Sequence, residues 1–230
     1  CKIGEVVVVG GVRRSALISL SNLGDAAMRK AKSGEWWVNE AQRSLANNSV
    51  SYKTKPTMEV FFTEWHSLYE SKSGERGIFN RQAAHKQAAK NGRRKLETKN
   101  NKPIEWGTNP CSEIILRPYQ FCNLSEVVVR ATDTLETLKE KVRHATILGT
   151  FQSCMTDFKY LRSIWKTNTQ EERLLGVSLT GIMDHNILNG SDGLAKTNRW
   201  LIELRQVAID TNTEIAFDMG IQQSAAITCV

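Results

Sequence analysis

Between Leu135 and Phe158 apolar residues recur at steps of three and four, through Leu138, Val142, Ala145, Leu148, Phe151 and Met155. That period lays one apolar stripe along a long amphipathic helix, and such a stripe is core. A helix of this kind must cover a second layer, so it constrains the rest of the chain. Ile114–Leu116 and Glu126–Arg130 before it read as strands, and Gly176–Gly181 after it as a turn-bounded buried segment. Leu201, Leu204, Ala208, Thr211 and Ile215 mark another helix. The N-terminal half has the same alternation. Glu5–Val9 and Ala16–Leu20 read as strands separated by Gly10-Gly11. Asp25–Ser33 and Met58–Ser71 read as helices, the second with Phe61, Phe62, Trp65 and Leu68 at helical spacing, and a turn over Gly74–Gly77 follows. Strands alternating with helices favour a parallel α/β arrangement.

Composition narrows the class. With 230 residues, 40% of them hydrophobic, the chain can bury a sizeable core. No apolar run approaches the roughly 18 residues of a membrane span, and no signal peptide is visible, so no membrane partner is expected. Five cysteines, an odd number without framework spacing, fit a reducing compartment with functional thiols, and the expected location is the cytoplasm.

The formal charge of +7 is concentrated in one place. Residues 85–102 hold seven Lys or Arg and one Glu, which leaves +1 for the remainder. A basic run without interleaved aromatics reads as a solvated loop or helix face, with electrostatic steering of phosphate-bearing nucleotides as the other reading. No nucleic-acid partner is expected.

The chemistry sits in Asn109-Pro110-Cys111-Ser112-Glu113, with a second thiol, Cys122, eleven residues after Cys111. In an extended strand, residues two apart share a face, so Asn109, Cys111 and Glu113 would project together while Pro110 and Ser112 face away. Singly, each residue has an ordinary explanation: a buried small thiol, a solvated carboxylate, a turn-forming Asn-Pro. The cysteines form no C-x2-C pair and no His clusters near them, so no metal site is expected. His66, His85, His144 and His185 show no ligand spacing.

NPCSEI followed by FCNLSEVVV resembles the catalytic segment of ribonucleotide reductase large subunits. Gly10–Ala16 (GGVRRSA), Ala46–Val50 (ANNSV), Ser73–Gly77 (SGERG) and Glu172–Val177 (ERLLGV) are similar to further blocks of that family, in its order. The resemblance implies that Cys111 becomes a thiyl radical that abstracts the ribose 3′ hydrogen. It implies that Glu113 takes the 3′-hydroxyl proton and that Asn109 hydrogen-bonds the substrate's hydroxyls. Cys122 would be one of two thiols that reduce the radical intermediate, leaving a disulfide to be recycled by thiol exchange. The fold it implies is a ten-stranded α/β barrel with the radical cysteine on an inner finger loop, of which residues 1–230 would be a part. Arg13 and Arg14 would contact phosphates or cofactor, or be surface charge. Asn47, Asn48 and Ser49 would line the nucleotide site, or form a polar helix-to-strand turn.

NPC with a following FCNL looks most like the adenosylcobalamin-dependent class of ribonucleoside-triphosphate reductases. There, homolysis of a cobalt–carbon bond gives the deoxyadenosyl radical that oxidises Cys111. The alternative is a subunit that receives its radical from a separate dimetal protein. Implied partners are a ribonucleoside di- or triphosphate and, as reductant, thioredoxin or glutaredoxin. The same comparison makes this chain a fragment, without the upstream partner of Cys122, the phosphate loop and the C-terminal thiols, and inert alone. Cys1 satisfies the Cys, Ser or Thr requirement of a residue after an intein, although an incomplete gene is the preferred explanation. Cys1, Cys154 and Cys229 read as structural.

Overall fold

The computed structural model describes residues 16–90, 92–98 and 100–228. Glu5–Val9, Arg13, Arg14, Cys1 and Cys229 lie outside the described residues. The chain divides into two units. One runs up to Lys90 and includes Leu96–Arg117; the other comprises the stretch before Leu96 and everything from Pro118 onward.

In the first unit, β1 (Leu17–Ser21), β2 (Ala46–Tyr52) and β3 (Gly77–Asn80) form a parallel sheet with β2 in the middle. Parallel neighbours need crossovers, and helices supply them. Between β1 and β2 lie the short helices α1 (Ala26–Arg29) and α2 (Trp36–Asn39). The Asp25 side chain caps α1 by accepting from the Met28 N–H at 2.9 Å. Helix α3 (Met58–Ser71), capped by Thr57, returns the chain to β3 over the span its periodicity predicts.

The apolar residues expected to anchor α3 do not all do so. Phe62 and Trp65 are 57% and 53% exposed, and the buried residue of the helix is Glu64. Its carboxylate accepts from Arg76 Nε at 3.0 Å and Nη2 at 2.9 Å, and from Arg29 Nε at 2.7 Å. Arg76 also donates to Ser21 Oγ and to the carbonyls of Asn22 and Leu23. A fully paired, hydrogen-bonded charge cluster thus joins α3 to the end of β1, where periodicity alone points to hydrophobic contact.

Helix α4 (Arg81–Ala89) starts directly after β3, with Asn80 as its cap. Ala84 and Ala88 pack against Ile104 and Trp106, with Phe79, Leu96 and Ile115 around them. Two short antiparallel strands follow, β4 (Gly107–Thr108) and β5 (Ile115–Leu116), in register Gly107 to Leu116 and Thr108 to Ile115.

The second unit has its own parallel sheet, in the order β6 (Asn123–Val128), β7 (Leu175–Thr180), β8 (Ile227–Thr228). Helices α5 (Leu135–Gln152) and α6 (Ser163–Glu172) lie between β6 and β7, and α7 (Leu194–Asp218) between β7 and β8. Thr134 and Thr137 form a reciprocal capping box at the start of α5. Leu138, Val142 and Ala145 of α5 bury against Val127, Val129, Val177, Leu204 and Ala208. Half of the predicted stripe reaches the core, with Leu138, Val142 and Ala145 buried and Leu135 packed against them, whereas Leu148, Phe151 and Met155 are exposed. The helix ends at Gln152, so Cys154 lies in the turn after it and not inside it.

The basic run is not simply a solvated face. Arg94 is buried, pairing with Glu172 at 2.9 Å, and Gln120 donates to the same carboxylate at 2.6 Å. Arg93 donates to the carbonyls of Gln223 and Ser224. His185, also buried, contacts the Asp133 carbonyl through Nε2 at 2.9 Å.

Candidate active site

Asn109–Glu113 is not an extended strand. It forms the connection between β4 and β5, where the Ser112 N–H donates to the Asn109 carbonyl at 3.0 Å and closes a four-residue turn. The local sequence accounts for this. Asn is favoured at the first position of a β-turn, and Pro, with its fixed φ, at the second. Cys111 therefore occupies the third position and is exposed. Ser112 takes a φ of 68°, the left-handed region that a residue with a Cβ adopts at a cost.

The turn brings Asn109 and Glu113 together by a different route from strand alternation. The Asn109 side-chain N–H donates to the Glu113 carboxylate. Its carbonyl oxygen accepts from the Ile114 N–H at 3.1 Å and from Thr108 Oγ1 at 3.4 Å. Both ends of the amide are engaged, so Asn109 braces the loop and holds the carboxylate beside the turn that carries Cys111. A third polar group reaches the same loop: Asn47 on β2 donates through Nδ2 to the Pro110 carbonyl at 2.7 Å.

The neighbours of Asn47 lie elsewhere. Asn48 is buried and donates to the Met28 carbonyl at 2.7 Å, tying α1 to β2. Ser49 accepts through its carbonyl from Ser21 Oγ at 3.2 Å, and its own Oγ lies 2.9 Å from where a Cβ on Gly77 would be. Arg13 and Arg14 lie outside the described residues.

Cys122 belongs to the other unit, immediately before β6. Its surroundings fix the backbone on both sides. Gln120 is held by Glu172, and the Phe121 ring packs against Trp165 in a tilted arrangement and edge-on against Phe158, at centroid distances of 4.7 and 5.1 Å. Asn123 donates to the Leu174 carbonyl from its N–H at 2.9 Å and from Nδ2 at 3.2 Å. The buried Glu172–Arg94–Gln120 cluster is not anticipated as a cluster: Arg94 belongs to the basic run that reads as a solvated face, and Glu172 stands out only within the ERLLGV block.

Among the described residues no group of three or more His, Cys, Asp or Glu could hold a metal ion, and no helix is long and apolar enough to cross a membrane.

No protein-family profile matches the chain. Curated relatives do match it, among them three named adenosylcobalamin-dependent ribonucleoside-triphosphate reductase. The protein from Lacticaseibacillus paracasei is 32% identical over 185 residues. Those from Levilactobacillus brevis and Lactobacillus acidophilus are 30% and 31% identical over 188 residues. Each match covers 79% of this chain and 23% of the relative. The chain is accordingly homologous to one segment of the adenosylcobalamin-dependent ribonucleoside-triphosphate reductases, less than a quarter of their length.

Proposed function

We propose that this chain is part of the catalytic body of an adenosylcobalamin-dependent reductase that converts ribonucleoside triphosphates to 2′-deoxyribonucleoside triphosphates. The observation that carries the reading is the turn that gathers Asn109, Cys111 and Glu113, with the Asn109 amide on the Glu113 carboxylate. Homology to reductases of that name supports the reaction class and the cofactor. In this reading the β4–β5 connection is the finger loop of a ten-stranded α/β barrel, and residues 1–230 contribute part of that barrel.

Bound adenosylcobalamin would supply a carbon-centred radical. The exposure of Cys111 fits such a source, because a thiol that gives its hydrogen to a separately bound group must be reachable. The Cys111 sulfur, once it has lost its hydrogen atom, takes the 3′ hydrogen of the ribose. Glu113, an acceptor when ionised, takes the 3′-hydroxyl proton, and the 2′-hydroxyl departs as water. Cys122 and a second thiol together supply two electrons and two protons and end as a disulfide. Glu113 then returns its proton to the 3′ oxygen, and Cys111 returns its hydrogen to the 3′ carbon. Balance is one ribose hydroxyl and two thiols in, one methylene, one water and one disulfide out. Thioredoxin or glutaredoxin would reduce that disulfide, and the deoxynucleotides would feed DNA synthesis in the cytoplasm.

The test is product formation by the full-length protein from a ribonucleoside triphosphate, with adenosylcobalamin and a dithiol. Deoxynucleotide formation that requires all three is expected. Its absence in the complete mixture would overturn the reading. The isolated 230-residue chain is expected to be inert in the same assay.

A further inference from the structure

We propose that Asn47 is a positioning residue that fixes the Pro110–Cys111 peptide, and through it the direction of the Cys111 thiol. The proposal rests on Cys111 being the reacting thiol. Asn47 lies on the central strand β2, paired with Ile18 of β1, so its backbone is held by the sheet. Its side chain is exposed, yet its Nδ2 sits 2.7 Å from the Pro110 carbonyl, 63 residues along the chain.

That carbonyl belongs to the central peptide of the turn. Type I and type II β-turns differ by a flip of this one peptide plane, which reverses its C=O and changes the sign of φ at the third residue. Cys111 is that third residue and is not in the positive-φ region. A donor fixed to the sheet and aimed at the Pro110 oxygen favours one of the two orientations. The bond therefore acts on the Cα–Cβ direction of Cys111 without touching the thiol. A thiol displaced by about 1 Å from its reacting geometry can lose on the order of 100-fold in rate.

The experiment compares Asn47→Ala, Asn47→Asp and Asn47→Gln with the wild type in the full-length protein. Two readouts are used: kcat and KM for nucleotide reduction, and the rate at which iodoacetamide alkylates Cys111, followed by peptide mass spectrometry. Asn47→Asp keeps the size and loses the donor. The Ala and Asp variants are expected to lower kcat about 10- to 100-fold with KM within twofold. They should also change the Cys111 alkylation rate severalfold while the Cys154 rate stays constant. Asn47→Gln, which retains an N–H donor, should recover part of both effects. Wild-type kcat and wild-type Cys111 alkylation in the Ala and Asp variants would overturn the proposal. If wild-type protein forms no deoxynucleotide, the reading of function falls separately, and Cys111 alkylation alone decides whether Asn47 holds the loop.

Discussion

Asn109 donates its side-chain amide to the Glu113 carboxylate across the turn that carries Cys111. The bond explains why an amide and a carboxylate flank the thiol. Asn109 also receives the Ile114 N–H, so one side chain shapes the loop and holds the candidate base.

Glu113→Gln replaces the acceptor with an amide of the same size. In the full-length protein kcat should fall by about 10²- to 10⁴-fold, the usual contribution of a positioned base. Nucleotide affinity, measured by equilibrium binding, should change little. A kcat within threefold of the wild type would remove Glu113 from the reaction.

Cys122→Ser should separate the two halves of the chemistry. The variant keeps the Cys111 turn and loses one reducing thiol. Radical formation, monitored by electron paramagnetic resonance after mixing with nucleotide, should persist while multiple-turnover product formation is lost. Normal repeated turnover would show that Cys122 is not a reductant.

The buried Glu64 gives an acid-sensitive joint. Burial by itself would raise its pKa, but hydrogen bonds from Arg76 and Arg29, reinforced by their charge, outweigh this and hold it below the usual Glu value. A depressed folded pKa contributes stability that is complete above the unfolded value, about 4.3, and is lost as pH falls through the lower folded value. Hydrogen-exchange protection of α3, corrected for intrinsic rates, should therefore fall as pH drops below about 4.3. Glu64→Gln should weaken α3 at neutral pH, since stranding one partner of a buried pair costs about 3–5 kcal/mol, and should flatten the acid limb. An unchanged acid limb in that variant would assign the sensitivity to other groups.

Gly181 follows β7 with a φ of 79°, and a Cβ built there would lie 2.5 Å from the Val129 carbonyl oxygen. Backbone cannot yield as a flexible side chain can. Gly181→Ala should destabilise by about 2–4 kcal/mol, combining left-handed strain with overpacking. A shift in the unfolding midpoint no larger than that of an exposed-loop Gly→Ala control, such as Gly92→Ala, would contradict the close approach.

Much of the architecture was legible because its causes are local. The step of three and four from Leu135 gave α5, and Met58–Ser71 gave α3 to the residue. Polar packing was harder to read. Glu64, Arg76, Arg94 and Glu172 look like surface charge, and their burial depends on partners 12 to 78 residues away. The site was legible as a set of residue types and misread as a conformation. Alternation is the default geometry for residues two apart, but Asn-Pro favours a turn, and the turn is what brings Asn109 to Glu113. The Asn47 contact could not be read at all, since nothing in a sequence relates residue 47 to the carbonyl of residue 110.

Everything proposed for the site depends on Cys111 being the thiol that begins the chemistry. The most direct test is Cys111→Ser in the full-length protein, with deoxynucleotide product and nucleotide binding measured side by side. Product at background with binding preserved is the expected result, since a serine hydroxyl keeps the turn and cannot give up its hydrogen atom as a thiol does. Substantial product from the Cys111→Ser protein would contradict that assignment.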